Sequence, residues 1–159
     1  MQNKIKVFLS DVDGVLTDAG MYYTESGDEF KRFNTHDGMG FNLLQKFGIK
    51  TGIITSEKTQ IVENRARKLK LDYLYQGVGF DGKLNAAKEI CLLENISLEQ
   101  IAYIGDDINC IELLEAVGIA ACPANATYKV KRIKGIIQLK KCGGDGVVRE
   151  FIELILNGE

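Results

Sequence analysis

Asp11 and Asp13 stand two residues apart at the end of an apolar run, Ile5-Lys6-Val7-Phe8-Leu9. Thr55 and Ser56 follow a second apolar run, Lys83 sits just before a helical pattern, and Asp106 and Asp107 close the fourth apolar run, Ile101-Ala102-Tyr103-Ile104. Two carboxylates, then a hydroxyl, then an ammonium, then another carboxylate form the set a phosphoryl-transfer site requires. Phosphate monoesters have among the highest uncatalysed hydrolysis barriers, and a covalent carboxyl-phosphate divides that barrier into two steps. Asp11 is placed to be the nucleophile. Asp13 would protonate the leaving alkoxide and then deprotonate the attacking water, a role that needs a carboxyl protonated at the start. Gly14 lets the backbone come close to the phosphoryl oxygens. Asp11 and Asp106, with Asp13, would hold a hard oxygen-seeking ion, Mg²⁺ with several waters. Thr55 or Ser56 and Lys83 would stabilise the equatorial oxygens.

Each signal alone has a plainer reading. A bare D-x-D-G arises by chance, Thr55 could be a strand-end cap, Lys83 a solvated lysine and Gly105-Asp106-Asp107 an ordinary turn. All four in this order, each after the expected element, carry the functional reading by their mutual consistency. His36, the single histidine, reads as a loop or core residue. Cys91, Cys110, Cys122 and Cys142 form no C-x-x-C pair and read as small buried hydrophobes. Four free thiols suit a reducing cytoplasm. Gly143-Gly144-Asp145-Gly146 has no G-K-[ST] after it. It reads as a mobile hinge before the last helix, from which Arg149 could reach an active site.

Strand and helix signals alternate along the whole chain. Strands are expected at Ile5-Lys6-Val7-Phe8-Leu9, Lys50-Thr51-Gly52-Ile53-Ile54, Tyr73-Leu74-Tyr75, Ile101-Ala102-Tyr103-Ile104, Gly118-Ile119-Ala120-Ala121 and Ile136-Ile137-Gln138-Leu139. Helical patterns fall at 41–47, 59–69, 84–94, 111–117 and 147–156, and Ser97-Leu98-Glu99-Gln100 resembles a capping box. Alternation of this kind implies a doubly wound, Rossmann-like α/β domain with a parallel sheet between helical layers. One such domain over residues 1–159 is expected. Residues 20–33 interrupt the rhythm and read as a β-hairpin inserted after the first strand, turning at Ser26-Gly27-Asp28. Its Met21, Tyr22, Tyr23, Phe30 and Phe33 would expose apolar surface on a lone subunit, which marks an interface. The net charge of −2 gives no basis for a nucleic-acid partner or an acidic membrane surface. No apolar run approaches the roughly 18 residues that span a bilayer, and residues 1–4 lead into too short an apolar stretch for a signal peptide.

The string Asp11-Val12-Asp13-Gly14-Val15-Leu16-Thr17 resembles the first motif of the haloacid dehalogenase superfamily, and Thr55, Lys83 and Gly105-Asp106-Asp107 resemble the other three. The segments G-M-Y-Y-T-E-S-G-D-E-F-K-R-F-N-T-H-D-G, Y-L-Y-Q-G-V, A-Y-I-G-D-D and G-G-D-G-V-V-R-E-F are similar to the capless sugar-acid phosphatases. That family includes octulosonate 8-phosphate and nononate 9-phosphate phosphatases and the C-terminal domain of animal acylneuraminate cytidylyltransferases. The resemblance covers nearly the whole chain. It implies an Mg²⁺-dependent homotetramer in which a neighbouring subunit closes each site. Thr55-Ser56-Glu57-Lys58 replaces the Thr-Gly-Arg typical of octulosonate phosphatases. Glu57, Arg65 and Lys68 together resemble the nononate enzymes, which inclines the reading to a nine-carbon acid held by Ser56, Glu57, Arg65 and Lys68. Two departures stand out: Cys110 occupies the place of the usual final acid of the fourth motif, and the stretch between Gln76 and Lys83 is long. The alternative is a non-catalytic tetramerisation domain with a decayed site, against which the retention of Asp11, Asp13, Lys83 and Asp106 counts. A signalling receiver domain is disfavoured because the third strand ends in Tyr75-Gln76, not in a phospho-accepting Asp.

Overall fold

Short runs of branched and aromatic apolar residues fit a sheet buried on both faces, where alternation is unnecessary. The computed structural model describes residues 5–158, so the expectation for residues 1–4 lies outside it. Six such runs pair in parallel: β1 (Val7–Ser10), β4 (Lys50–Ile54), β5 (Tyr73–Tyr75), β6 (Ile101–Ile104), β7 (Ile119–Cys122) and β8 (Ile137–Gln138). Their order is β5-β4-β1-β6-β7-β8. The chain builds outward from β1 on one side and then crosses over to build on the other. The point of reversal therefore lies beside β1, and ligands of such sheets bind beyond the strand ends there.

Helices α1 (Thr35–Lys46), α2 (Gln60–Leu69), α3 (Gly82–Glu94), α4 (Ile111–Ala116), α5 (Tyr128–Lys131) and α6 (Val147–Asn157) cover the sheet. One core face joins Phe8 to Phe41 and Phe151, with ring centroids 5.8 and 5.5 Å apart, under α1 and α6. The other packs Val7, Leu9 and Tyr103 against Ile90 of α3 and Leu113 of α4. β1 is buried along its whole length, so the position of Asp11 is fixed from both sides.

Several boundaries differ from the sequence expectation. α1 begins at Thr35 and not at 41, because the Asn34 side chain accepts from the His36 N–H and caps it. The glycines that obscure this helix are packing sites: a Cβ on Gly40 would lie 2.9 Å from the Ile152 side chain of α6. α3 begins at Gly82, so Lys83 lies inside the helix and not before it. Leu98–Gln100 is a single 3₁₀ turn closed by the expected capping box. α5 has no counterpart in the sequence reading. The hairpin forms as expected from β2 (Tyr22–Tyr23) and β3 (Glu29–Phe30).

The Gly143-Gly144 stretch is not a free hinge. A Cβ at Gly143 would lie 2.0 Å from the Gly14 carbonyl oxygen, and the Gly144 N–H donates to Val15 O at 3.0 Å. Glycine is needed here because two backbones touch. Arg149 does not line the cleft beside Asp11; its Nε pairs with Glu153 at 2.7 Å.

Asp37, in the first turn of α1, is 1% exposed and accepts the Arg149 N–H at 2.8 Å, which satisfies the otherwise uncapped start of α6. Burial pushes its carboxyl up to about 6, against the pull of that backbone bond and of Lys141 and Arg65. The folded state therefore binds the proton more tightly than the unfolded state. The contribution to stability is full below about pH 4, the unfolded value, and is lost as pH rises through about 6. Between those limits Asp37 should remove on the order of 2–3 kcal/mol. Urea denaturation of Asp37→Asn beside wild type should show a flatter slope over this window in the variant; parallel curves would reject the assignment.

Candidate active site

Three strand ends and one helix start bring the reactive groups together. Asp11 ends β1, Thr55 follows β4, Asp106 follows β6, and Lys83 projects from the first turn of α3. Asp11, Asp13, Thr55, Ser56, Glu57, Asp106, Asp107, Asn109 and Ala19 line a cleft of about 250 Å³.

Asp11 is held from both oxygens. Its Oδ1 accepts the Val12 N–H at 2.7 Å, while its Oδ2 accepts from Lys83 Nζ at 2.5 Å and from Cys110 Sγ at 3.1 Å. Lys83 is 2% exposed. Burial works against its charge, but Asp11 and then Cys110 together offset it and the lysine stays above its ordinary range. A buried ammonium is costly without such a partner, which makes the pair a built feature and not a surface accident. Cys110 touches Asp11 directly. Its Sγ also accepts from Lys83 and from the buried Tyr103 hydroxyl, each at 3.3 Å. Burial and then Asp11 push the thiol up to about 12, so it stays protonated and donates.

Among the described residues Asp106 forms no salt bridge. Burial first, then Asp11 and Asp107, push its carboxyl up to about 7. Asp11, Asp106 and Cys110 each bring a ligand atom within 4.8 Å of the others. Two crowded carboxylates, one of them driven towards its protonated form, fit a hard divalent cation; the thiol is a poor donor for one. Asp13 stands outside this group, and its Oδ1 is engaged by Lys31 at 2.7 Å.

Gly14 serves Asp106. With φ at +83°, it leaves open a space in which a Cβ would meet Asp106 Oδ2 at 2.0 Å. Gly14→Ala should therefore displace the carboxylate. A misplacement near 1 Å costs about 10²-fold in rate, so kcat/KM should fall by about that factor and the Mg²⁺ concentration giving half-maximal rate should rise. A variant with wild-type Mg²⁺ dependence would contradict this role.

Thr55 is 2% exposed at the cleft wall. Ser56 Oγ accepts from Asn109 Nδ2 at 2.9 Å, which joins the loops after β4 and β6. Glu57 lines the cleft, but Arg65 and Lys68 do not. Arg65 donates to Asn34 O at 3.2 Å and lies 5.3 Å over the Phe33 ring, tying α2 to the start of α1. Lys68 is exposed on α2. Lys31 and Asn109 are the groups sequence reading missed. Lys31 lies inside the hairpin and Asn109 between Asp107 and Cys110 of the fourth motif, but spacing assigns neither position a role, so the fold reveals them.

Residues 79–151 match the family described as haloacid dehalogenase-like hydrolase. The chain is 36% identical over 159 residues to the 3-deoxy-D-manno-octulosonate 8-phosphate phosphatase KdsC of Yersinia pestis, covering 96% of this chain and 80% of that protein. The crystal structure of the Moraxella catarrhalis 3-deoxy-D-manno-octulosonate 8-phosphate phosphatase, in complex with a magnesium ion, a phosphate ion and a KDO molecule, superimposes with a TM-score of 0.92 at 35% identity. It covers 98% of this chain and 88% of that one. A probable yrbi family phosphatase from Pseudomonas syringae is 41% identical, with a TM-score of 0.92 over 97% of this chain and 86% of that one.

Proposed function

Because the chain belongs to the haloacid dehalogenase-like hydrolases, in the family of the octulosonate 8-phosphate phosphatases, we propose that it hydrolyses the terminal phosphate of a 3-deoxy-2-ulosonic acid phosphate through an aspartyl-phosphate on Asp11. The observation that carries this reading is the Asp11 carboxylate, pinned by Lys83 at 2.5 Å in a cleft it shares with Asp13, Thr55 and Asp106. A decayed, non-catalytic domain would have no structural cause to keep Asp13, Thr55 and Asp106 in one cleft around that ion pair.

Asp11 attacks phosphorus, and the bond from phosphorus to the sugar oxygen breaks. Asp13 gives its proton to the departing alkoxide, then takes one from the water that cleaves the acyl phosphate and frees Asp11. Lys83 holds positive charge against the phosphoryl oxygens, and the Thr55 and Ser56 hydroxyls donate to them. Asp11 and Asp106 are the residues that would hold Mg²⁺, whose charge offsets that of the phosphoryl group.

The eight-carbon acid is the first substrate to test. The nine-carbon expectation rests on Glu57, Arg65 and Lys68, and of these Glu57 alone lines the cleft; the similar proteins described above include octulosonate phosphatases. Arg65 and Lys68 would act in the nine-carbon reading from a neighbouring subunit. Phosphate release should be measured from octulosonate 8-phosphate and nononate 9-phosphate, each with and without Mg²⁺. A tenfold preference, about 1.4 kcal/mol, for either acid decides the length. No Mg²⁺-dependent release from either would overturn the proposal.

Assembly completes the reading. Tyr23 and Phe30 are 60% and 57% exposed on the hairpin, which supports a homotetramer with the hairpin between subunits. Light scattering that finds an active monomer would reject shared sites. No helix of the described residues is long and apolar enough to cross a membrane. The free cysteines Cys91, Cys110, Cys122 and Cys142 fit a reducing, cytoplasmic setting.

A further inference from the structure

Lys31 follows β3 directly, yet its side chain turns in from the hairpin until 2% of it remains exposed. Its Nζ donates to Asp13 Oδ1 at 2.7 Å and to Glu57 Oε2 at 3.2 Å, and lies 3.4 Å from Glu29 Oε1. Three chain segments thus meet at one ammonium: the loop after β1, the loop after β4, and the hairpin itself. Burial works against that charge, but Asp13 and then Glu57 more than offset it and hold Lys31 above the ordinary lysine range.

The consequence falls on Asp13. Its side chain is 32% exposed, so a carboxyl there could rotate freely if nothing held it. A charge-assisted hydrogen bond of 2.7 Å holds Oδ1, while Oδ2 has no hydrogen-bond partner among the described residues. We propose, resting on the acid–base reading of Asp13, that Lys31 is a positioning residue: it occupies Oδ1 and leaves Oδ2 as the oxygen that gives the proton to the alkoxide and recovers it from water. Lys31 keeps all three of its own protons throughout. Because Lys31 belongs to the hairpin, the proposed subunit contact and the acid–base step share one element.

The test compares leaving groups. An alkyl sugar phosphate needs its alkoxide protonated, whereas p-nitrophenyl phosphate releases a stable phenolate and needs little acid help. Lys31→Met should lower kcat/KM, which reports the steps up to departure of the leaving group and not hydrolysis of the shared acyl phosphate, roughly 10- to 100-fold on the alkyl substrate, a part of the 10²–10⁴ that general acid–base catalysis supplies. On p-nitrophenyl phosphate the loss should stay under about threefold. In an Asp13→Ala background, Lys31→Met should cause no further loss on the alkyl substrate, since the group it positions is gone. Equal losses on both substrates, or additive losses in the double variant, would overturn the proposal while leaving Asp13 its role. If Asp13→Ala itself lowers kcat/KM equally on both substrates, the acid reading of Asp13 fails and this proposal falls with it. Lys31→Gln keeps a donor without the charge and provides the same comparison if Lys31→Met does not fold. A chain that folds with neither makes Lys31 a structural strut, which also overturns the proposal.

Discussion

Asp11→Asn should lower kcat by about 10⁴-fold or more, the scale on which loss of an essential nucleophile is felt. The amide cannot attack phosphorus, so no acyl phosphate forms. The fold should survive. An asparagine oxygen can still accept from Lys83 and from the Cys110 thiol, which contact Asp11 Oδ2 at 2.5 and 3.1 Å. What is lost is the negative charge opposite a buried ammonium, so Asp11→Asn should melt below wild type without unfolding at assay temperature. Retention of more than about a tenth of wild-type kcat would contradict the covalent mechanism.

Lys83→Met should produce the second largest effect. The substitution keeps the volume of the stem and removes the charge that faces Asp11 and the incoming phosphoryl oxygens. Removal of one preorganised donor to a developing oxyanion costs about 10²–10³ in kcat, and that is the expected loss. Stability should fall too, by about 3–5 kcal/mol, because Asp11 is left buried with its ionic partner gone. Lys83→Arg should not restore the rate. The space around Nζ is closed by Asp11, Cys110 and the packed start of α3, and a planar fork is no substitute for a compact point charge there. Stopped-flow rates with denaturant titrations of the three proteins check both parts. Full activity in a stable Lys83→Met protein would remove Lys83 from the site.

The reading of the sequence succeeded where local chemistry and element order agree. Asp11, Thr55 and Asp106 each end or follow a strand whose apolar run is unambiguous, and parallel pairing of β1 with β4 and β6 then brings them together. It failed where tertiary contact overrides local preference. Two glycines hide α1, yet Gly38 faces Arg65 and Leu69, and Gly40 faces Ile152, so backbone closeness outweighs helix propensity. Gly143 and Gly144 look flexible in sequence and are clamped against the loop after β1. Cys110 reads in the sequence as an acid lost from the fourth motif, and in the structure its thiol touches both Asp11 and Lys83. Lys31 was illegible for a different reason. A lysine in a hairpin with exposed neighbours reads as solvated, and the meeting of its ammonium with Asp13 and Glu57 depends on how that hairpin folds back over the strand ends.

The central claim is that phosphate passes through Asp11, and rapid acid quenching measures that passage itself. Enzyme mixed with a ³²P-labelled phosphomonoester and Mg²⁺, then quenched within one turnover, should retain acid-stable, hydroxylamine-sensitive label on the peptide that contains Asp11. The same experiment with Asp11→Asn should retain none. Rapid phosphate release with no protein-bound label at any quench time, or label on a peptide that lacks Asp11, would contradict the account.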